Sequence, residues 1–319
     1  MVVYALRRLS RFVFFVWLVS FGSFVAFGSA FDPLYGMTLC GDSCKSQRDA
    51  LAAKFHLRDP ILERYWDWLS GLIHHGFGSQ VFGGFGVPGP EIDPALFRAA
   101  AVTFQLMVSG LVLTVIFSVL IGVVSARRRG RFADVTLRLF TYVTWSLPTF
   151  LIGALFLRWL YPLGWFYAGR APGGGFMPWI RTMTLPAVTL SLGLIGLYSR
   201  YVRTATLTEL RRPYATVARA KGLRESRITI RHVLRNALGP FVSVLALDVG
   251  AIVGASLATD WVFGMRGLAS YFYASMQAAD PFSLTAVVVV IAIVVSAFML
   301  VSDLALGWLD PRLRVAAES

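Results

Sequence analysis

The chemically capable residues of this sequence are few and scattered. Asp248 stands alone in the apolar run Leu245-Ala-Leu-Asp-Val-Gly250. An ionisable residue in such a run is a functional candidate by default. It is suited to line a gate or to meet a cationic group in transit, and equally to pair with a neighbouring helix or a water-filled wall, because a buried charge needs a partner. Cys40 and Cys44, in Cys-Gly-Asp-Ser-Cys, fit a local disulfide or two free thiols; no four-ligand metal set is completed beside them. His74-His75 suits the cationic end of a helix better than a metal site. Gly173-Gly-Gly175 lacks the Lys-Ser/Thr of a phosphate loop, and Gly-x-x-x-x-Gly-Lys-Ser/Thr occurs nowhere in the chain. No ATP hydrolysis and no cofactor are therefore expected of this polypeptide itself.

The densest pattern runs from Pro213 to Pro240. Pro213 suits the first residue of a helix, where a missing N–H costs nothing. Tyr214, Val217, Ala218 and Lys221 then share one face at helical spacing, and Ala218 and Ala220 keep that surface shallow. Gly222 suits a helix stop with positive φ, and Leu223 is placed to pack back on Ala218. A second helix is expected over Glu225–Leu238, with Ile230, Val233, Leu234 and Ala237 as its stripe and Pro240 turning the chain into the next apolar run. A short, shallow helix with basic flanks needs a partner groove; the plainer alternative is a solvated basic loop at a membrane face.

The elements that would position these residues are membrane spans. The chain has 319 residues, 56% of them hydrophobic, which is too apolar for a soluble domain of this size. Long, unalternating apolar runs favour helices over a barrel. Six spans are expected, over Phe12–Phe31, Ala99–Ala126, Leu139–Leu157, Thr182–Ser199, Asn236–Thr259 and Pro281–Ser302, each near the ~20 residues a crossing needs. The first is too long for the apolar part of a signal peptide and is read as retained. Pro148 and Pro186 fall inside the third and fourth spans and are expected to kink them.

Charge sets the orientation. With both termini cytoplasmic, the inner face receives the arginines at 7, 8 and 11, those at 127–138, the ten Lys/Arg of 200–235, and Arg312 and Arg314, twenty of the thirty in the chain. This positive-inside bias accounts for the +13 net charge without nucleic acid, because the basic residues hug the span ends. The division is then 1–31 (tail and first span), 32–98 (an exported region), 99–308 (a five-helix core with a cytoplasmic loop at 200–238) and 309–319 (a cytoplasmic tail). In the exported region Asp59-Pro60 suits a helix start, and Leu62, Trp66, Leu69 and Ile73 form one apolar stripe that ends at His74-His75, a helix for the membrane surface or for the flanks of other spans. Gly76–Pro90 reads as an irregular loop.

Ala218-Arg-Ala-Lys-Gly-Leu223 followed by Arg231-His-Val-Leu-Arg-Asn-Ala-Leu-Gly-Pro240 closely resembles the coupling loop of permease subunits in dipeptide/oligopeptide-type (peptide/nickel class) ABC importers. The resemblance extends to Arg58-Asp-Pro-Ile with Tyr-Trp-Asp-Trp-Leu and Gly-Phe-Gly78, to Ser146-Leu-Pro148, to Asp260-Trp-Val-Phe-Gly-Met-Arg-Gly-Leu268 and to Leu309-Asp-Pro-Arg312. It departs at Pro213, where an acidic residue is common, at Thr216-Val217 in place of Glu-Ala, and at Met265-Arg266 in place of Trp-Pro. The resemblance implies an all-α, polytopic type I ABC importer permease fold in the bacterial plasma (inner) membrane. It also implies a second homologous permease, two ATP-binding subunits that carry the ATP and Mg, and an extracytoplasmic substrate-binding protein. Tyr214, Ala218, Arg219, Ala220, Lys221 and Gly222 would contact the ATPase, and Phe263, Arg266, Gly267 and Leu268 the binding protein. Asp248 would lie on the pathway of a short peptide, where it could meet the amino terminus. The same architecture with nickel, haem or another cargo is the alternative, and a secondary transporter is a further one, against which the absence of any internal repeat counts.

Overall fold

The computed structural model describes residues 2–38, 41–81, 89–169 and 175–309. Its α-helices, in chain order, are α1 (Val2–Ala30), α2 (Tyr35–Thr38), α3 (Lys45–Lys54), α4 (Ile61–His75), α5 (Ile92–Arg127), α6 (Phe132–Ser146), α7 (Thr149–Trp159), α8 (Phe176–Leu210), α9 (Pro213–Ala220), α10 (Glu225–Arg227), α11 (Leu234–Leu247), α12 (Val249–Phe263), α13 (Leu268–Gln277) and α14 (Pro281–Leu309). A π-helical stretch, Ile228–Val233, joins α10 to α11. Four helices carry stretches long and apolar enough to cross a membrane, Leu6–Ala30, Ile92–Arg127, Phe176–Leu210 and Pro281–Leu300. Two bent pairs, Phe132–Ser146 with Thr149–Leu163 and Glu225–Leu245 with Val249–Phe263, raise the number to six when each pair counts as one span.

The chain divides into two compact units. The first joins Met1–Thr103 to Arg266–Ser319. Its aromatic core forms where α4 packs on α1: Phe24 meets Tyr65 and Trp68 from α4 and Phe282 from α14. The Ser20 hydroxyl bonds Tyr65 Oη at 2.9 Å. Tyr65 and Trp68 are thus the buried face of α4, whereas Leu62 and Trp66 of the expected stripe are exposed. The helix presents one aromatic face to the protein and a second apolar face outward. Asp59 does not cap α4; its carboxylate takes a hydrogen bond from His56 Nδ1 at 2.8 Å. At the start of α14 the buried Asp280 accepts from the Ser283 hydroxyl at 2.6 Å and the Phe282 N–H at 3.3 Å, ending that helix's orphan donors. Burial pushes its carboxyl above the usual range, against these hydrogen bonds.

The second unit, Phe104–Met265, is built on close helix approach. A Cβ on Gly122 of α5 would lie 2.8 Å from the Ser199 carbonyl of α8. One on Gly196 of α8 would lie 2.6 Å from the Thr141 carbonyl of α6. Small residues let backbones touch where lipid offers no hydrophobic drive. The expected third span is broken, with α6 and α7 meeting at 99° across Leu147-Pro148. Leu147 is extended (φ −87°, ψ 129°), as the residue before a proline tends to be. Pro186, by contrast, is carried inside α8. Pro240 is also carried inside a helix, α11, so it does not make the expected turn. The fifth span bends instead at Asp248, by 66°.

Candidate coupling surface

The basic loop folds as a small preformed body. The α8 helix ends at Leu210, Arg212 is extended, and Pro213 opens α9 as expected. Ala215 and Ala218 are buried against Ile228 and Val233, with Leu210, Tyr214 and Leu223 closing the cluster. Gly222 takes φ +73°, and the Leu223 N–H reaches the Ala218 carbonyl at 3.3 Å. That is the predicted stop with its back-packing. Polar pins fix the rest. Tyr214 Oη donates to Glu209 at 2.8 Å and accepts from Asn236 Nδ2 at 3.4 Å. Burial, with the Glu209 carboxylate, pushes the Tyr214 hydroxyl above its ordinary value. Arg219 Nε donates to Glu225 at 2.6 Å.

This packing divides the expected contact residues. Ala218 is buried and Tyr214 half-buried within the loop's own core, whereas Arg219, Ala220, Lys221 and Gly222 are exposed. Val217, placed at sequence level on the face of Ala218, points outward at 53% exposure, and Ala215 takes the inner place. The next helix also departs from expectation. Ile230 is 64% exposed, and Ile228 is buried in its stead. The π stretch shifts the side-chain phase away from the 3.6-residue count. The exposed surface therefore joins Val217 and Ile230 with Arg219, Ala220 and Lys221.

Above this body lies a clasp that single-residue inspection missed. Asp134 of α6, 1% exposed, accepts two hydrogen bonds from Arg203 of α8, Nε to Oδ1 and Nη2 to Oδ2, both at 3.0 Å. It also accepts from the Ser125 hydroxyl of α5 and from the Gly130 N–H. A fork-to-fork pair with every carboxylate lone pair used is the strong form of a charged hydrogen bond. Arg200, one turn away, lies 4.4 Å from the Trp145 ring centroid of α6. The only sequence signal was one acid at the end of an arginine-rich hairpin, Arg127-Arg-Arg-Gly-Arg-Phe-Ala-Asp134.

Asp248 sits at the junction of α11 and α12, half-buried, and accepts from Tyr198 Oη of α8 at 3.2 Å. Tyr198 is itself packed with Val202 and Phe241. Of the four residues expected at the binding protein, Phe263, Gly267 and Leu268 are buried. The Phe263 carbonyl accepts from the Gly169 N–H at 3.0 Å, and the Leu268 N–H donates to Thr103 at 2.9 Å. Arg266 is exposed with φ +60°. Of the four, Arg266 alone presents its side chain outward. Cys40, residues 82–88 of the expected irregular loop, Gly173 and Gly174, and the tail from 310 onward lie outside the described residues; Cys44 closes a short 3₁₀ turn before α3.

The family described as the binding-protein-dependent transport system inner membrane component matches residues 118–315 of the chain. The oligopeptide transport system permease protein OppB of Mycobacterium tuberculosis (strain ATCC 25618 / H37Rv) is 31% identical over 98% of this chain and 99% of its own length. The dipeptide transport system permease protein DppB of Bacillus subtilis (strain 168) is 29% identical over 83% of each. Among solved structures, a chain of the MetNI methionine ABC transporter in an inward-facing conformation superposes with a TM-score of 0.56 at 19% identity, covering 68% of this chain and 99% of that one. That likeness carries the fold.

Proposed function

The chain belongs to the family of binding-protein-dependent transport system inner membrane components, and from that premise we propose that it is the permease half of an ATP-driven importer of short peptides. The peptide cargo rests on the names of its relatives, OppB and DppB. As a multi-pass protein of the bacterial inner membrane it hydrolyses nothing itself. A second homologous permease, two ATP-binding subunits and an extracytoplasmic binding protein complete the machine. ATP and Mg are held by the ATP-binding subunits.

The observation that carries this reading is the preformed body after α8, with a buried core and an exposed face of Val217, Arg219, Ala220, Lys221 and Ile230. A loop pinned by Tyr214–Glu209 and Arg219–Glu225 loses little entropy on docking. Closure of an ATPase dimer around α9 would push on a rigid object, and α8 would pass that push to the Asp134–Arg203 clasp. A contact shifts the inward–outward equilibrium only if it differs between the two states, and α9 is where such a difference enters. In this reading Asp248 would line the pathway, where a peptide amino terminus would exchange for the Tyr198 hydroxyl.

The test is affinity purification of the tagged chain from native membranes with mass spectrometry of its companions. A second permease and two ATPases are expected, lost in Gly222→Asp, which would need a carboxylate-bearing residue at φ +73°. A homo-oligomer that still transports without ATPases would overturn the reading in favour of a secondary transporter.

A further inference from the structure

A recess of 410 Å³ lies in the first unit at the exported end of α1. Gly28 and Ser29 of the last turn of α1 form one wall, and α3, the Leu57-Arg58 turn and Arg64 of α4 form the others. Three guanidiniums, Arg48, Arg58 and Arg64, line it against one carboxylate, Asp32. That carboxylate is engaged in its own turn, accepting from the Leu34 N–H at 2.9 Å. Arg58 is paired with Asp49. Arg48 and Arg64 have no ion-pair partner among the described residues.

Arg64 is the telling member. Its guanidinium lies 6.0 Å from the Phe24 ring centroid, and its Nε is buried without an acceptor. The nearest relief is Asp59, whose carboxylate is already bonded by His56. Burial draws this guanidinium's pKa below the ordinary value. A half-buried charge without a contacting counter-ion is costly, and a planar guanidinium suits a tetrahedral oxyanion better than any other side chain does.

Depth selects the anion. The apolar stretch of α1 runs from Leu6 to Ala30 and ends at this recess, so its mouth lies where hydrocarbon gives way to headgroups. Beside it α4 exposes Leu62 and Trp66 at 56% and 59%, the signature of a helix lying in the interface. Leu34, Ala52 and Leu57 supply an apolar floor. We propose that this recess holds the phosphate of an anionic phospholipid of the exported leaflet, with Arg48 and Arg64 as its fork and Arg58 at the rim. Basic pockets against membrane helices bind lipid headgroups in this way.

The experiment uses the full-length chain with the subunits that accompany it, in nanodiscs of phosphatidylcholine alone or with phosphatidylglycerol. Native mass spectrometry should show one phosphatidylglycerol per chain that survives activation stripping the other lipids. Its occupancy should fall at least tenfold in Arg48→Gln/Arg64→Gln and only partly in Arg48→Lys/Arg64→Lys, which keeps charge and loses the fork. The wild type supplies a readout independent of any variant: its thermal midpoint should rise with phosphatidylglycerol content. Equal retention of phosphatidylcholine, or an unmoved midpoint, overturns the proposal. Displacement of the lipid by millimolar inorganic phosphate overturns it in favour of a free-anion site. Loss of binding-protein docking in the Gln pair with lipid occupancy unchanged overturns it in favour of a protein carboxylate.

Discussion

Asp134 and Asp280 are both buried acids, and they respond oppositely to their surroundings. Asp134 is matched by a guanidinium, two backbone or hydroxyl donors and a second arginine, Arg138, at 3.6 Å. Asp134→Asn should leave Arg203 without its counter-charge and destabilise the second unit by about 2 kcal/mol. That is below the ~3–5 kcal/mol of a fully buried pair, because the Arg203 side chain is 20% exposed. A fall in the detergent thermal midpoint, with a smaller fall for Arg203→Lys, checks it. Among the described residues Asp280 has hydrogen-bond donors but no cation, so desolvation wins and its carboxyl is raised. Its unfolded value is the ordinary 3.8. The folded state therefore holds the proton more tightly, its contribution is complete below that value, and it is lost as pH rises through the raised folded value. Asp280→Asn should flatten this part of a stability-against-pH curve; an unchanged slope in the acid limb would refute the assignment. Neither behaviour was legible in the sequence, since Asp134 meets Arg203 across 69 positions and Asp280 owes its shift to burial. Local chemistry was legible: Pro213 as a helix start and Gly222 as its stop needed only backbone preferences.

At the scale of elements, periodicity found the helices, left open which surface the α4 stripe meets, and misjudged which way the helix after α9 faces. On α4 the Leu62–Trp66 stripe faces outward, as the membrane-surface alternative expects, and the protein takes Tyr65 and Trp68 on the other side, where ring-on-ring contact with Phe24 and a hydroxyl pair to Ser20 fix the packing. Beyond α9 the π stretch moved Ile228 inward and Ile230 outward, a phase change that no fixed-period count anticipates. The outward face around α9 is the one a partner subunit would meet in the proposed importer. Ala220→Trp, on the exposed side, should lower transport per ATP hydrolysed while leaving the chain folded. Ala218→Trp, inside the cluster with Ile228 and Val233, should instead unfold the loop by overpacking, at a cost of about 1–3 kcal/mol. Uptake assays beside limited proteolysis separate the two; equal proteolytic sensitivity would contradict the assigned faces. Gly196→Ala should part α6 from α8, because its Cβ meets the Thr141 carbonyl and the Trp145 backbone nitrogen at 2.6 and 2.8 Å, and neither atom can rotate away. A lowered thermal midpoint of the purified chain checks this, and wild-type stability would refute it.

At the scale of the molecule, hydropathy alone indicated a six-span protein, and the structure redistributes that number as four long helices and two broken ones. The break at Pro148 could be foreseen as a kink; its size could not, because 99° depends on what the two halves pack against. The unbroken α8 has a further consequence. Its 35 residues make a rod about 52 Å long, continuous from the exported side to the foot of α9 and clasped near its cytoplasmic end by Asp134. A rod pivoting at that clasp converts angle into distance. A tilt of about 5° would carry its far end roughly 4 Å, comparable to the width of a peptide backbone, whereas the cytoplasmic foot beside the pivot would travel only a small part of that. Such a lever gives a large stroke outside for a small movement inside, and its gearing is set by where along α8 the aspartate grips.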